Sequence, residues 1–570
     1  MVLPLINILL SIKKLIHIII PLFLGCSNPK VNNLDKDSQN AVVVSAHPLA
    51  SKIGIDIIDK GGNAADAVIA VQMALAVVYP SAGNIAGGGF LVYRTDDGNY
   101  TSLDFREKAP LSSSPNMYLD ENGNVIENLS LIGHRSVGVP GTIDGMVNLH
   151  QNYGSLPWEN LIQPAIDLAQ NGFVLTKKEA QNLNYFNSKK CVSSIADNPY
   201  YAEHHSEGDT IYLLELAQTL IQIQKYKRDG FYSGTVAENL IKEINDNGGI
   251  ITAEDLNLYN SVWRSPIQSN YKNFKIISMG PPSSGGILLS QMLKMAEHFP
   301  LKQYGFNSVK YVHLLAEIER RAFADRSKHL GDPDFYNVLT NQLLDSIYLA
   351  KRIKDIDLNN VTESYSINPG LLINESDETT HFSIVDKEGN AAAVTTTLNG
   401  SYGSGVVVKG SGFILNNEMD DFSIRPGYPN LYGLVGGIAN AIEPQKRMLS
   451  SMTPTIIEKE NELYMVLGSP GGSTIITAVL QTILNVVEFE MNIDSAVNVP
   501  RFHHQWLPDQ IKAEKILCND SLLISKLIKI GHEIKNIGSM NRVDAILIDN
   551  GKLRGGADKR GDDFAAFLKK

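Results

Sequence analysis

The chain has 570 residues, 43% of them apolar and 19% charged, a composition that excludes a largely disordered protein. Acidic residues outnumber basic ones by 61 to 50 and no Lys/Arg-rich run stands out, so the electrostatic footprint of a nucleic-acid binder is missing. The three cysteines, Cys26, Cys191 and Cys518, are too few and too widely spaced for a disulfide framework or a metal cluster.

The N-terminus opens on an apolar stretch, then Lys13-Lys14, then a second apolar run from Leu15 to Leu24. That run contains Pro21 and is too short to span a bilayer. A basic pair, a short apolar stretch and a small residue before a cut describe an export signal over residues 1–25. Gly25-Cys26 resembles a bacterial lipoprotein cleavage site, which implies a lipid on Cys26 and attachment to a membrane; a plain cleaved signal and an uncleaved anchor are the alternatives. The expected location is outside the cytoplasm, in the periplasm. Residues 26–40 are polar and read as a tether.

Ala41 to Ala46 reads as a strand, and Leu49 to Asp59 as a helix stopped by Gly61-Gly62. Asn63 caps a second helix running to about Val78, whose small side chains on nearly all faces predict deep burial. Gly87-Gly88-Gly89 forms a loop leading into a strand from Phe90 to Arg94, and Thr101 to Phe105 is another strand. From about 155 to 375 the chain reads as largely helical, with Leu161 to Gln170, Leu213 to Lys227 and Ser308 to Arg326 as examples. Residues 355–378 turn polar, as in an exposed linker where a cut is tolerated. Strands follow at Thr379 to Val385, Ala391 to Thr397, Gly412 to Leu415, Pro454 to Ile457 and Leu463 to Leu467, then a helix from Ser473 to Val487. The order is mixed, with several antiparallel signals: an α+β fold.

The first two of those strands carry the chemistry. They are joined by Lys387-Glu388-Gly389, and a three-residue hairpin loop takes a left-handed residue, commonly glycine, at its end. That register pairs Asp386 with Asn390, so Thr379 faces Thr397 and His381 faces Thr395. Side chains alternate along a strand. Thr380, Phe382, Ile384, Ala392, Val394 and Thr396 share one mostly apolar face; Thr379, His381, Ser383, Thr395 and Thr397 share a polar one. Two hydroxyls, Thr379 and Thr397, therefore lie side by side. His381 and the His503-His504 pair have no third ligand at useful spacing, so no metal is expected, nor any other cofactor.

Thr379-Thr380-His381-Phe382-Ser383 resembles the processing site of the γ-glutamyltransferases. The resemblance continues through Thr396-Thr397-Leu398-Asn399, Asn416-Asn417-Glu418-Met419-Asp420-Asp421-Phe422, Tyr432-Gly433-Leu434, Leu449-Ser450-Ser451-Met452-Thr453-Pro454, Gly468-Ser469-Pro470-Gly471-Gly472-Ser473 and Pro500-Arg501-Phe502-His503-His504. In the first half, Asp104-Phe105-Arg106-Glu107 and Gly138-Val139-Pro140-Gly141-Thr142 match as well. The resemblance runs from about residue 41 to the C-terminus and is nearest to the bacterial members. It implies an αββα sandwich of the N-terminal-nucleophile hydrolase type, built jointly by a large portion (41–378) and a small portion (379–570) after cleavage between Glu378 and Thr379.

The residue types suit that chemistry. A hydroxyl is a weak nucleophile and needs an adjacent base; a chain-terminal threonine supplies both, through a free α-amine with a pKa of about 8. Before the cut that nitrogen is an amide, so the precursor is expected to be inactive toward external substrate. By resemblance, Thr379 is the nucleophile, Thr397 orients it, and Gly471-Gly472 offer backbone N–H groups to the oxyanion. Arg106, Ser450 and Ser451 would receive the α-carboxylate of a γ-glutamyl donor such as glutathione. Asn399, Glu418 and Asp421 would accept from its α-ammonium, and Tyr432 lies in a segment resembling the family's lid. Water, an amino acid or a peptide would then take the γ-glutamyl group. Two alternatives stand beside this reading: an acylase for glutaryl or cephalosporin side chains, and a catalytically dead, lipid-anchored binding protein.

Overall fold

Residues 41–45, 88–94, 380–385 and 391–397 are buried without a break, so these strands have both faces covered and the architecture is layered. The structure, a computed structural model, describes residues 39–188, 204–367, 380–425, 428 and 438–569. Numbering strands in chain order, the larger sheet runs β18 (Phe564–Lys569), β1 (Gln39–Ser45), β9 (Thr380–Val385), β10 (Ala391–Thr397), β2 (Gly88–Arg94), β3 (Tyr100–Asp104) and β6 (Val262–Arg264), antiparallel throughout. A second antiparallel sheet runs β17 (Lys552–Gly556), β16 (Asp544–Asp549), β12 (Glu462–Gly468), β11 (Thr455–Lys459), β8 (Phe274–Ser278) and β7 (Ile267–Tyr271).

Val43, Leu91, Phe382 and Val394 turn one face of the larger sheet toward the helices Pro48–Asp59 and Ala64–Val78. Val42, Phe90, Val385 and Ala393, on the opposite face, share a core with Ile277, Ile456, Val466 and Ile546 of the second sheet. Helices Gly285–Ala296, Val309–His329 and Ser473–Val487 complete that core on the far side. Helix, sheet, sheet, helix: this is the expected αββα sandwich. The Ala64–Val78 helix is buried on every face, and its N-terminus is closed by a capping box in which Asn63 and Asp66 exchange side chain-to-backbone bonds of 3.0 Å.

The hairpin register is as expected: Thr380 pairs with Thr396, His381 with Thr395 and Val385 with Ala391. Gly389 sits at φ +96°, the left-handed end of the loop. Asp386 secures the turn by accepting from the N–H groups of Glu388, Gly389 and Asn390 at 2.9–3.0 Å, and its other oxygen accepts from Ala64 N–H at 2.8 Å. The polar face of the hairpin turns toward the second sheet rather than toward solvent. His381 is buried between Thr395 Oγ1 (2.9 Å) and Ser383 Oγ (3.0 Å), and Ser383 donates to the Asp544 carbonyl.

Three expectations are corrected. The stretch Gly412 to Leu415 is not a strand: Gly403, Gly405, Gly410 and Gly412 all take positive φ, which coils the chain and leaves one isolated bridge between Val407 and Ile414. The largely helical middle also contributes three strands, β6, β7 and β8, to the two sheets. Gly87-Gly88-Gly89 is less a loop than the start of β2, where Gly88 and Gly89 pair with Thr397 and Thr396. A Cβ on Gly87 or Gly89 would overlap the carbonyl of Thr397 or Thr395, so only glycine lets the two backbones meet. The export signal (1–25), the tether (26–40) as far as residue 38, Cys26 and Cys191 lie outside the described residues, while Gln39 and Asn40 already belong to β1.

The sheet-to-sheet contact is testable at Gly468, the last residue of β12, where an added Cβ would overlap the His381 ring. With that ring held by two hydrogen bonds, Gly468→Ala is expected to destabilise the protein by about 1–3 kcal/mol, read as a lowered thermal unfolding midpoint.

Candidate active site

Thr397 closes β10 and is buried. Its carbonyl accepts from Asn84 Nδ2 at 2.8 Å and its Oγ1 accepts from the Asn399 N–H at 2.7 Å. Asn84 is the lock on this strand end. Its amide nitrogen also reaches Thr396 Oγ1 (3.1 Å), while its oxygen accepts from Gly87 N–H (3.0 Å) and Thr142 Oγ1 (2.6 Å). Asn399 takes φ +70° and donates to the Asn417 carbonyl at 3.0 Å.

Glu418 and Asp421 lie on a short 3₁₀ turn, Glu418–Asp421, entered through Asn416. The Asn416 side chain donates to the carbonyls of Ala86 and Gly138 and accepts from the N–H of Gly138 and of Glu418, so one buried amide joins three segments. Facing the turn is Arg106, two residues beyond β3 and buried. Its backbone is fixed by Asp104 Oδ1 (3.0 Å) and by the Tyr259 hydroxyl (2.8 Å). Its guanidinium pairs with Glu418 (2.7 Å) and Asp421, lies 3.6 Å from Glu107, and donates to the Met448 carbonyl (3.4 Å).

Ser450 and Ser451 follow Met448 by two and three residues and are buried. The Ser450 backbone is stitched to the turn before helix Gly285–Ala296: its N–H donates to Pro282 O (2.8 Å), and its carbonyl accepts from Ser284 N–H (2.7 Å) and Oγ (2.8 Å). Gly471 and Gly472 reach the region by another path. They follow β12, whose Gly468 packs on the His381 ring, and His381 is bonded to Thr395 two residues before Thr397. Both glycines have positive φ (+116° and +56°), and Gly472 is the N-cap of helix Ser473–Val487, so the first N–H groups of that helix start here. A Cβ on Gly471 would stand 2.7 Å from the Asn541 side chain.

Three carboxylates, Glu107, Glu418 and Asp421, surround the single guanidinium of Arg106. Burial drives the Glu418 carboxyl well above its ordinary range; Arg106 opposes that shift, while Glu107 and Asp421 add to it. Burial raises Glu107 in the same way, again against the pull of Arg106. Burial alone takes His381 down to about 3, so its ring is neutral and serves as a hydrogen-bonding strut. His503 and His504 are structural too: the first bonds Thr477 and Gln505, the second Asp509 and the Trp506 N–H.

Of the residues predicted from sequence, the structure brings together Arg106, Thr397, Asn399, Glu418 and Asp421, with Ser450 and Ser451 two and three residues beyond Met448, whose carbonyl accepts from Arg106. Glu378, Thr379 and Tyr432 lie outside the described residues. Asn84, Glu107, Asn416 and Asn417 were not assigned roles from the sequence. The last three stand inside the quoted motifs beside assigned residues; Asn84, after Ala82-Gly83, carries only the signal of a turn.

An αββα sandwich that presents the start of one central strand beside a hydroxyl-ended neighbour is the architecture of the N-terminal-nucleophile hydrolases, and solved structures agree. Cephalosporin acylase from Bacillus halodurans superposes with a TM-score of 0.80 at 25% identity, covering 93% of this chain and 96% of that one. The γ-glutamyltranspeptidase of Helicobacter pylori gives 0.55 at 43% identity, covering 57% of this chain and 95% of that one. The family model for Gamma-glutamyltranspeptidase matches residues 50–568. The glutathione hydrolase proenzyme of Escherichia coli (strain K12) is 44% identical over 537 residues, 93% of this chain and 92% of that protein. That of Bacillus subtilis (strain 168) is 37% identical over 543 residues, 91% and 90%. The chain belongs to the γ-glutamyltranspeptidase family and is an enzyme of that class.

The crowded carboxylates give a pH signature. A folded chain that retains a proton on Glu107 binds more protons than the unfolded chain as pH rises above the ordinary value of 4.5, so stability falls with rising pH through that window. Glu107→Gln cannot ionise and is expected to flatten the decline, measured as urea unfolding midpoints of both proteins between about pH 5 and about pH 8.

Proposed function

We propose that this enzyme is an exported, self-processing γ-glutamyl hydrolase and transferase acting on glutathione or related γ-glutamyl amides. Residues 1–25 direct its export, and processing divides 41–378 from 379–570. The reading rests above all on one arrangement: a buried arginine, Arg106, held between two acids, Glu418 and Asp421. A γ-glutamyl donor carries an α-carboxylate and an α-ammonium on one carbon. Entering this cluster, it exchanges the direct arginine–acid contact for two charge-assisted ones: carboxylate to Arg106 and the Ser450 and Ser451 hydroxyls, ammonium to Glu418, Asp421 and Asn399. The added positive charge also offsets the burial and the neighbouring acids that raise the Glu107 and Glu418 carboxyls. A glutaryl side chain has no ammonium to meet Glu418, Asp421 and Asn399, which weighs against the acylase reading.

The steps follow from the hairpin. In the precursor the Thr379 hydroxyl attacks the Glu378 carbonyl; the peptide bond breaks in favour of an ester on Oγ, and water hydrolyses that ester, leaving Thr379 with a free amine. With donor bound, the same hydroxyl attacks the γ-carbonyl and the Thr379 amine takes its proton. The N–H groups at Gly471-Gly472 hold the oxyanion. The proton passes to the leaving amine, a γ-glutamyl ester remains on Thr379, and water or an acceptor amine releases it. Tyr432 belongs to the segment that resembles the family's lid. Attachment through a lipid on Cys26 is part of the same proposal.

Mass spectrometry and N-terminal sequencing test the cut: wild type yields two chains, one beginning Thr379-Thr380-His381, and Thr379→Ala stays whole. A single intact wild-type chain would overturn the assignment. For the donor site, Asp421→Asn is expected to reduce the preference for a γ-glutamyl over a glutaryl amide by at least tenfold, one charge-assisted bond being worth about 1.5–3 kcal/mol. An unchanged ratio of kcat/KM values would remove Asp421 from the site.

A further inference from the structure

Far along the chain from the Arg106 cluster, the last described residues before the proposed cut are gripped with unusual completeness. Ser364 precedes Glu378 by 14 residues and is fully buried, although its neighbour Tyr365 is 82% exposed. Every polar atom of Ser364 is engaged. Its N–H donates to Asp509 Oδ2 (2.7 Å), its carbonyl accepts from Trp506 Nε1 (2.8 Å), and its hydroxyl accepts from Arg320 Nε (3.0 Å). Arg320 and Asp509 are themselves paired at 2.9 Å, so the three grips form one unit.

The grip extends upstream. The Thr362 N–H donates to Glu317 Oε1 (3.1 Å), and its hydroxyl accepts from Arg321 (3.2 Å). The Val361 N–H donates to the Ile530 carbonyl (2.9 Å). His313 donates from Nε2 to the Asp357 carbonyl (2.8 Å), which leaves its Nδ1 to accept from His532 Nε2 (2.7 Å). Ile367 ends the stretch inside the core shared by the two sheets.

These partners come from both sides of the cut. His313, Glu317, Arg320 and Arg321 lie on helix Val309–His329 of the large portion. Trp506, Asp509, Ile530 and His532 belong to the small portion. None of the bonds uses the peptide link between Glu378 and Thr379, and none uses a residue of the Arg106 cluster. Resting on the cut proposed above, we infer that Ser364 and its clamp form a permanent joint that keeps the tail of the large portion seated on the small portion after cleavage.

Hydrogen exchange read by mass spectrometry tests this on the full protein. Peptides covering 357–366 are expected to exchange equally slowly in the processed wild type and in Thr379→Ala. Trp506→Phe keeps an aromatic ring and removes only the N–H; with Asp509→Asn as a second, independent variant, each is expected to speed exchange at Ser364 by roughly tenfold, the loss of one buried hydrogen bond, and to lower the urea concentration at which the two chains separate. Protection present in Thr379→Ala but lost in the two-chain protein would overturn the joint, as would chains that separate no sooner in either variant. A wild type that remains one chain would instead defeat the proposed cut and leave protection at Ser364 intact, so the two readings fail separately.

Discussion

The antiparallel pairing of β9 with β10 is the constraint on which the rest depends. Six consecutive cross-strand pairs, from Val385–Ala391 to Thr380–Thr396, fix which side chains face the helices and which face the second sheet. A slip of one residue would exchange the two sets, burying His381 among the alanines and valines of the helix layer. Asp386 guards against that slip from the turn, and because the same carboxylate caps the amide of Ala64, the hairpin and the Ala64–Val78 helix are set by one group. The far end of the pair is set by Asn84 and by the glycines that let β2 press against Thr395–Thr397. Register at one end and backbone contact at the other leave the Thr397 hydroxyl little freedom, which is what a reacting group beside it requires.

Electrostatics gives the cluster around Arg106 its character. One guanidinium cannot compensate three buried acids, and in a low-dielectric setting the imbalance shows as the raised carboxyls of Glu107 and Glu418. Such a pocket is poorly matched to a neutral or purely anionic guest and well matched to one bringing an additional cation. The supporting groups are neutral amides, Asn84, Asn416 and Asn417, each satisfied on both sides. They fix the acids without adding charge of their own.

Much of this was legible locally. The Asn63 cap, Gly389 and the alternation of Thr380 to Val385 are short-range signals, and the elements they predict are present. What escaped has a common cause: it depends on residues distant in sequence. β6, β7 and β8 are short, lie among helices, and gain their edges only by pairing with β3 and β11. Gly412 to Leu415 has the apolar content of a strand, but the surrounding glycines coil it. At the site, motif resemblance singled out Arg106, Glu418 and Asp421. That the first is clasped by the other two could not be read, since some three hundred residues separate them. Asn84 looked like any asparagine beside a glycine; its importance lies in Thr397 and Thr142, which the fold brings to it.

The larger sheet has one more consequence. Its spatial order places β18 beside β1, β1 beside β9, and β10 beside β2, so strands from before and after residue 379 are shuffled together rather than grouped. Neither portion could draw that sheet by itself: each would have gaps where the other's strands belong. As one chain, the protein finds its partners within its own tether. Once divided, the same arrangement would have to be found again by two separate molecules, each exposing unpaired strand edges that invite aggregation. The cut would therefore fix a history into the enzyme. The information needed to assemble it would be spent at the moment it becomes active, and its working life would be governed by how slowly it first unfolds rather than by any balance between folding and unfolding.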